Sequence, residues 1–211
     1  MNDYDFLVYT DGACIGNPGP GGWAAIIRDR KGHERVVSGS ARSTTNNRME
    51  LRAALEALRQ LPVGKQVRVL LRADSRHLVD AITKGWAARW RQQGWKRNRH
   101  ERAENTDLWA QLLDELDRRT VVVEWTKAHN GDPLNERCDA IARNEAEHAT
   151  GTDEGYVRRH KQLPLEHQPQ AMHCTRAADG SVTISVEGSS VTIPAASVPD
   201  LVRKLSELSS G

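Results

Sequence analysis

The distribution of apolar and polar positions divides this chain into blocks of changing period. "YDFLVYT" is an aromatic and aliphatic run and predicts a buried strand. "WAAIIRD" and "ERVVSGS" predict two more strands, joined by a turn at "RKGHE". The period then lengthens. In "NNRMELRAALEALRQL", Leu51, Ala54, Leu55, Leu58 and Leu61 recur at helical spacing, and Pro62 and Gly64 stop the helix. "QVRVLLRAD" predicts a fourth strand ending at Asp74, and "SRHLVDAIT" a short helix. "TDLWAQLLDELDRR" is helical, with Thr106 as the expected N-cap. "TVVVEWTKAH" is a fifth strand, "NGDPL" a turn and "NERCDAIARNEAEHA" a last helix. Three strands, a helix, a strand, helices, a strand and a helix predict an α/β domain: a mixed five-stranded sheet flanked by helices.

Past Gly151 the pattern weakens. "GTDEGYVRRHKQLPLEHQPQ" is polar and proline-containing and reads as a connecting stretch. "SVTISVEGSSVTI" then alternates around Gly188, a hairpin signal. "PDLVRKLSEL" puts Leu201, Val202, Leu205 and Leu208 on one helical face. The expected organisation is a main domain over 1–157, a linker over 158–170 and a small β-hairpin–helix unit over 171–211.

Composition narrows the partners. The 211 residues carry a formal net charge of only +2. Between Lys84 and Arg102, however, seven basic residues stand against one acid, Glu101, so this segment is +6 and the remainder −4. A positive patch on a mildly acidic body suits a polyanion that touches one place. No apolar run approaches the roughly 18 residues of a membrane span. The acidic N-terminus does not read as a secretory signal. Cys14, Cys138 and Cys174 form neither a disulfide framework nor a zinc pair, so the expectation is a reducing cytoplasm.

Chemistry starts at "TDGACIGNPGPGG". The loop lacks both nucleotide-binding glycine patterns, which leaves the acid before it, Asp11, as the clue. Glu50 near the start of the first helix, Asp74 at the close of the fourth strand and Asp139 in the last helix also lie near element ends that can share one sheet edge. Gathered carboxylates repel unless cations sit between them. Oxygen donors favour hard ions such as Mg²⁺, and a pair roughly 3.5–4 Å apart suits phosphodiester chemistry.

Four stretches, "TDGACIGNPGPGGWAAIIR", "TTNNRMELRAALEAL", "RADS" and "KAHNGDPLNERCDAIA", in this order and spacing, resemble bacterial-type ribonuclease HI over about residues 5 to 156. The resemblance implies a ribonuclease H-like fold and Mg²⁺-dependent cleavage of the RNA strand of RNA–DNA hybrids, with two ions per site and Mn²⁺ as a substitute. It implies that Asp11, Glu50, Asp74 and Asp139 bind metal and that His129 is catalytic, with Glu136 as an accessory near the second ion. It implies that Cys14, Asn17, Asn46, Asn47 and Arg76 lie at the minor groove of the hybrid, with the glycines leaving the backbone open to it. Arg76 replaces the glutamine of many relatives. Trp86 belongs at a DNA-strand channel, Thr45 with Asn17 at a DNA phosphate, and Lys96, Arg97 and Arg99 on a basic protrusion. Arg42 stands one residue from where the family's pattern has an arginine. Core packing is the expectation for Trp90, Trp95, Trp109 and Trp125. The competing readings are a hybrid-binding module that does not cut, and an integrase-like enzyme that cuts DNA. The main domain is expected to be monomeric, with any dimer or protein contact made through the C-terminal unit.

Overall fold

The computed structural model describes residues 4–128, 131–161, 173–186, 189–200 and 202. It contains two compact units, Met1–Arg159 and His160–Gly211.

The first unit is built on β1 (Phe6–Cys14), β2 (Gly19–Asp29), β3 (Glu34–Thr44), β4 (Arg68–Ala73) and β5 (Thr120–Trp125), in the spatial order β3-β2-β1-β4-β5. The first three strands form an antiparallel meander, whereas β4 and β5 run parallel to β1. A tight turn suffices for the meander, and Asp29 closes it by accepting the N–H groups of Lys31 and His33. Parallel strands need a longer return. Helix α1 (Asn46–Arg59) supplies the first and α4 (Thr106–Asp117) the second. The mixed sheet expected from the pattern is therefore present.

The larger core lies between the sheet and α1, α2 (Arg76–Thr83) and α4, with Leu51, Leu55, Leu58, Leu71, Leu78, Leu108, Trp109 and Leu112 buried. A smaller one lies under α5 (Pro133–Glu147), where Cys138 and Ala142 meet Tyr9, Ala24 and Ile26. Here Gly22 is required, because a Cβ would strike the backbone of Ala142 and Ala146.

Several expectations change. The basic segment contains a helix, α3 (Trp86–Gln92), hidden from periodicity because it is short and charge interrupts its apolar positions. Thr106 is not the N-cap of α4. Asn105 holds that position at φ 53°, and its side-chain oxygen accepts from Arg48 instead of capping the helix. The connecting stretch begins as a helix, α6 (Glu154–Lys161), which runs through the expected boundary at 157 and into the expected linker. Residues 162–172 lie outside the described set. Trp109 is buried and Trp90 and Trp95 pack against the same core, but Trp125 is exposed.

The second unit is a three-stranded antiparallel sheet, β6 (His173–Arg176), β7 (Val182–Val186) and β8 (Ser189–Ile193). The expected hairpin is the β7–β8 pair; β6 is an addition. Residues 198–200 and 202 are helical, and the rest of the expected terminal helix lies outside the described residues. Among the described residues, no helix is long and apolar enough to cross a membrane.

Candidate active site

Asp11 does not end a strand. It lies within β1, paired with Ala24, one residue past the point where the β1–β4 ladder stops at Thr10 and Ala73. Asp74 follows immediately after β4, at that same edge. Glu50 reaches the edge from α1 because Gly12 lets β1 touch the helix; a Cβ there would strike the backbone of Met49 and Glu50. Most of the loop's glycines serve such close packing. A Cβ on Gly12, Gly19, Gly21 or Gly22 would meet the protein itself, so only Gly16 fits the idea of a backbone left bare for a groove.

Three carboxylates meet here. Ligand oxygens of Asp11, Glu50 and Asp74 all lie within 4.8 Å of one another, and Asp11 and Glu50 are each only 5% exposed. Burial, then the charges of Asp74 and Asp139, push Asp11 up to about 8, against the pull of the Gly12 N–H and Arg143. Burial, then the charges of Asp11 and Asp74, hold Glu50 well above the usual carboxylate range. Glu50 Oε2 is buried with no hydrogen-bond partner. An oxygen-only donor set, mutual repulsion and an orphaned buried oxygen together fit a hard divalent cation. Neighbours orient the trio. The Gly12 N–H donates to Asp11 Oδ1 at 2.7 Å, and Asn135 Nδ2 donates to Asp74 Oδ2 at 3.3 Å.

Asp139 is not one of this group. It projects from α5 and pairs with Arg143 at 2.5 Å, although its charge still acts on Asp11. Glu136 is exposed and accepts the N–H of Gly131 at 3.1 Å. His129 lies outside the described residues.

Some of the expected binding residues lie on the glycine loop and the start of α1. Asn17 Oδ1 accepts the N–H of Asn46 at 3.1 Å, tying the glycine loop to the start of α1. Thr45 is the N-cap of that helix but makes no side-chain cap bond, and Asn47 is exposed. The Cys14 thiol turns onto carbonyls of its own loop and Thr44. Burial raises its pKa. A cavity of about 350 Å³ beside the loop is lined by Cys14, Asn46, Asp139 and Arg143 among others.

The basic segment is less positive than its composition suggests. Lys84 pairs with Asp80, and Arg91 with Asp114 and Asp117. Among the described residues, Arg89, Lys96, Arg97, Arg99 and Arg102 make no ion pair. A cavity of about 490 Å³ lies under them, lined by His77, Trp86, Trp90, Arg89, Arg97 and Glu104 among others. His77 was not foreseen; its ring meets Trp109 edge-on at 5.9 Å.

Behind the acids lies a buried cluster that the sequence did not announce. Arg48 is 2% exposed. Its Nε and Nη2 donate to Asp153 at 2.6 and 2.7 Å, and its Nη1 and Nη2 donate to Asp107 at 2.9 and 2.7 Å. Thr44 Oγ1 also donates to Asp153.

Comparison with known proteins places this arrangement. The RNase H family model matches residues 3–147. A ribonuclease H of Trichodesmium erythraeum is 49% identical over 65% of this chain and 86% of its own length. Ribonuclease HI of Synechocystis sp. is 48% identical over 64% and 83%. The crystal structure of LC9-RNase H1, described as a type 1 RNase H with the type 2 active-site motif, superposes with a TM-score of 0.61. It is 33% identical and covers 75% of this chain and 81% of its own. A sheet edge carrying three acids, a sequence matched across 145 residues and relatives at nearly half identity leave one assignment: this chain belongs to the ribonuclease H family, type 1.

Proposed function

We propose that this protein is an endoribonuclease that hydrolyses the RNA strand of RNA–DNA hybrids, leaving 5′-phosphate and 3′-hydroxyl ends. The observation that carries this reading is the buried trio Asp11, Glu50 and Asp74 with its unpartnered Glu50 oxygen. Asp11, Glu50, Asp74 and Asp139 would hold two Mg²⁺ ions, with Mn²⁺ as a substitute. When bound, such ions polarise the phosphate and lower the pKa of the attacking water. Asp139 would have to release Arg143 to take that role, from a pair in which Arg143 is exposed and Asp139 half-buried. His129 moves the proton between water and product. Glu136 assists from the α5 start.

Specificity comes from shape. An A-form-like duplex offers a wide, shallow minor groove with 2′-hydroxyls. Cys14, through its backbone, and Asn17, Asn46 and Asn47 meet that groove, with Arg76 at its RNA-strand edge. Trp86 and the cavity beneath α3 receive the DNA strand, Thr45 with Asn17 a DNA phosphate, and Lys96, Arg97 and Arg99 the backbone charge. The first compact unit, Met1–Arg159, holds the catalytic domain of this cytoplasmic enzyme. Labelled RNA–DNA, RNA–RNA and DNA–DNA duplexes incubated with and without Mg²⁺ test the reading. Only the hybrid is cut, and only in metal. Tight hybrid binding without cleavage would leave a binding module, and cutting of DNA–DNA would leave an integrase-like enzyme.

Two variants separate chemistry from binding. His129→Ala is expected to lose roughly 10²-fold in kcat, the size of general acid–base help. Mg²⁺ binding by calorimetry persists; its loss would make His129 a ligand instead. Replacing Arg97, Arg99 and Arg102 by Ala raises the Kd for hybrid and flattens its salt dependence, by a slope of about 0.9 per lost contact on a B-DNA-like duplex. An unchanged slope would show that these cations face only solvent.

A further inference from the structure

Of Arg48, Arg72, Arg76 and Arg143, each within four residues of one of the acids, three are already engaged. Arg48 is held by Asp107 and Asp153, Arg72 by Glu124 and the Tyr9 hydroxyl, and Arg143 by Asp139. Arg76 is not. It is the first residue of α2, two positions beyond Asp74, and it is exposed. Among the described residues its guanidinium makes no hydrogen bond and no ion pair.

It is nevertheless fixed in place. The guanidinium carbon lies 3.4 Å from the centre of the Trp125 ring, well inside the roughly 6 Å reach of a cation–π contact. The indole is itself anchored, because Trp125 Nε1 donates to the Asp74 carbonyl at 3.0 Å. Trp125 is 37% exposed, so its ring serves as a platform and not as core. The cation is thus held over the indole beside the turn that carries Asp74, with its N–H donors unspent. A guanidinium in that state matches phosphate oxygens through two parallel N–H bonds, and ordering it in advance lowers the entropy lost on binding.

We propose that Arg76 grips a backbone phosphate of the strand being cut, adjacent to the phosphodiester at the acids, and that Trp125 is the residue that positions it. The inference rests on the ribonuclease reading and sharpens it. A phosphate grip fixes the register of the RNA strand without reading its bases.

The test uses hybrids in which single RNA-strand phosphates are replaced by neutral methylphosphonates. The wild-type chain loses roughly 10-fold in kcat/KM at one position flanking the cut, the scale of one charge-assisted contact. Arg76→Gln loses a similar factor on unmodified hybrid, mostly through KM, and is insensitive at that one position. Arg76→Lys keeps part of the sensitivity, because it retains charge without the fork. Trp125→Phe keeps a ring but loses the N–H that anchors it to the Asp74 carbonyl, so it falls between wild type and Trp125→Ala; Trp125→Ala approaches Arg76→Gln, and adding it to Arg76→Gln costs little more. The Mg²⁺ concentration for half-maximal rate is the same in Arg76→Gln as in wild type. Equal sensitivity of wild type and Arg76→Gln at every position overturns the inference, as does a shifted Mg²⁺ requirement in place of lost phosphate sensitivity. Failure of the wild type to cut unmodified hybrid overturns the ribonuclease reading instead.

Discussion

Asp11→Asn is expected to lower hybrid cleavage by about 10³-fold or more, since a metal site supplies several kcal/mol and each ~1.4 kcal/mol is tenfold. Hybrid affinity stays within about threefold, because binding is dominated by phosphate contacts made elsewhere. The same change stabilises the fold in chelator. Asp11 is pushed from 3.8 up to about 8, so the folded protein holds this proton more tightly than the unfolded chain does. Stability of the metal-free wild type therefore falls as pH rises from near 4 to near 8 and is flat with respect to this group above that. Asn cannot ionise. The advantage of the variant grows across the same window, to about 1–3 kcal/mol, or a rise in Tm of about 2–12 °C for a chain of this size. Mg²⁺ reverses the order by stabilising only the wild type. Thermal melts of both chains in chelator and in Mg²⁺, run beside the cleavage assay, check each part. Wild-type turnover by Asp11→Asn removes the acid from the chemistry. An Asn variant that melts below wild type at pH 8 in chelator removes the repulsion account.

Local pattern made the sheet and its long helices legible. The leucines of α1 and the aliphatic run of β4 bury one face each, and that requirement is written at fixed spacing. The helices α3 and α6 are short and their few apolar positions are interrupted by charge, whereas α2, as short as α6, shows Leu78, Val79, Ala81 and Ile82. The sequence reads the four acids as lying near element ends, which holds for Asp74 and Glu50 but not for Asp11 within β1 or Asp139 in mid-α5, and their convergence is a property of the sheet. Glu50 meets Asp11 because Gly12 admits the helix, and no local rule separates a glycine that admits a helix from one that clears a groove. Asp139 was grouped with the trio by the family pattern, whereas without metal it satisfies its charge on Arg143 one helical turn along. That i, i+4 pair was visible in the sequence. Trp125 shows the opposite limit. A tryptophan closing an aliphatic strand reads as core, yet here it is a platform for Arg76, whose own partner comes from an element about 50 residues away.

Arg48 gives the largest expected loss of stability. It lies in the first turn of α1, two residues before Glu50, and binds together the start of α1, the start of α4 and the entry to α6. Burial alone would raise Asp153 and Asp107, yet the hydrogen bonds and charge of Arg48 outweigh it and hold both below the usual aspartate value. Arg48→Met leaves Asp153, 9% exposed, as an uncompensated charge. Removing one partner of such a buried set costs about 3–5 kcal/mol, and roughly 2–4 °C of Tm follows each kcal/mol in a chain of this size. A drop of about 6–20 °C is expected at pH 7. The gap between variant and wild type narrows as pH falls, first because burial without Arg48 raises Asp153 and lets it protonate early in the variant, then below about 4 because the depressed carboxylates of the wild type protonate and the stability they carried above that pH is lost. Adding Asp153→Asn to Arg48→Met should recover part of the loss by removing the stranded charge. The effect reaches the chemistry, since Glu50 rides on the same turn: the folded variant needs more Mg²⁺ for half-maximal cleavage. Melts at pH 7 and pH 3 with a Mg²⁺ titration of rate make the measurement. A Tm within about 2 °C of wild type at pH 7, less than the shift expected for even 1 kcal/mol, would mean that α1 is anchored by its leucines alone.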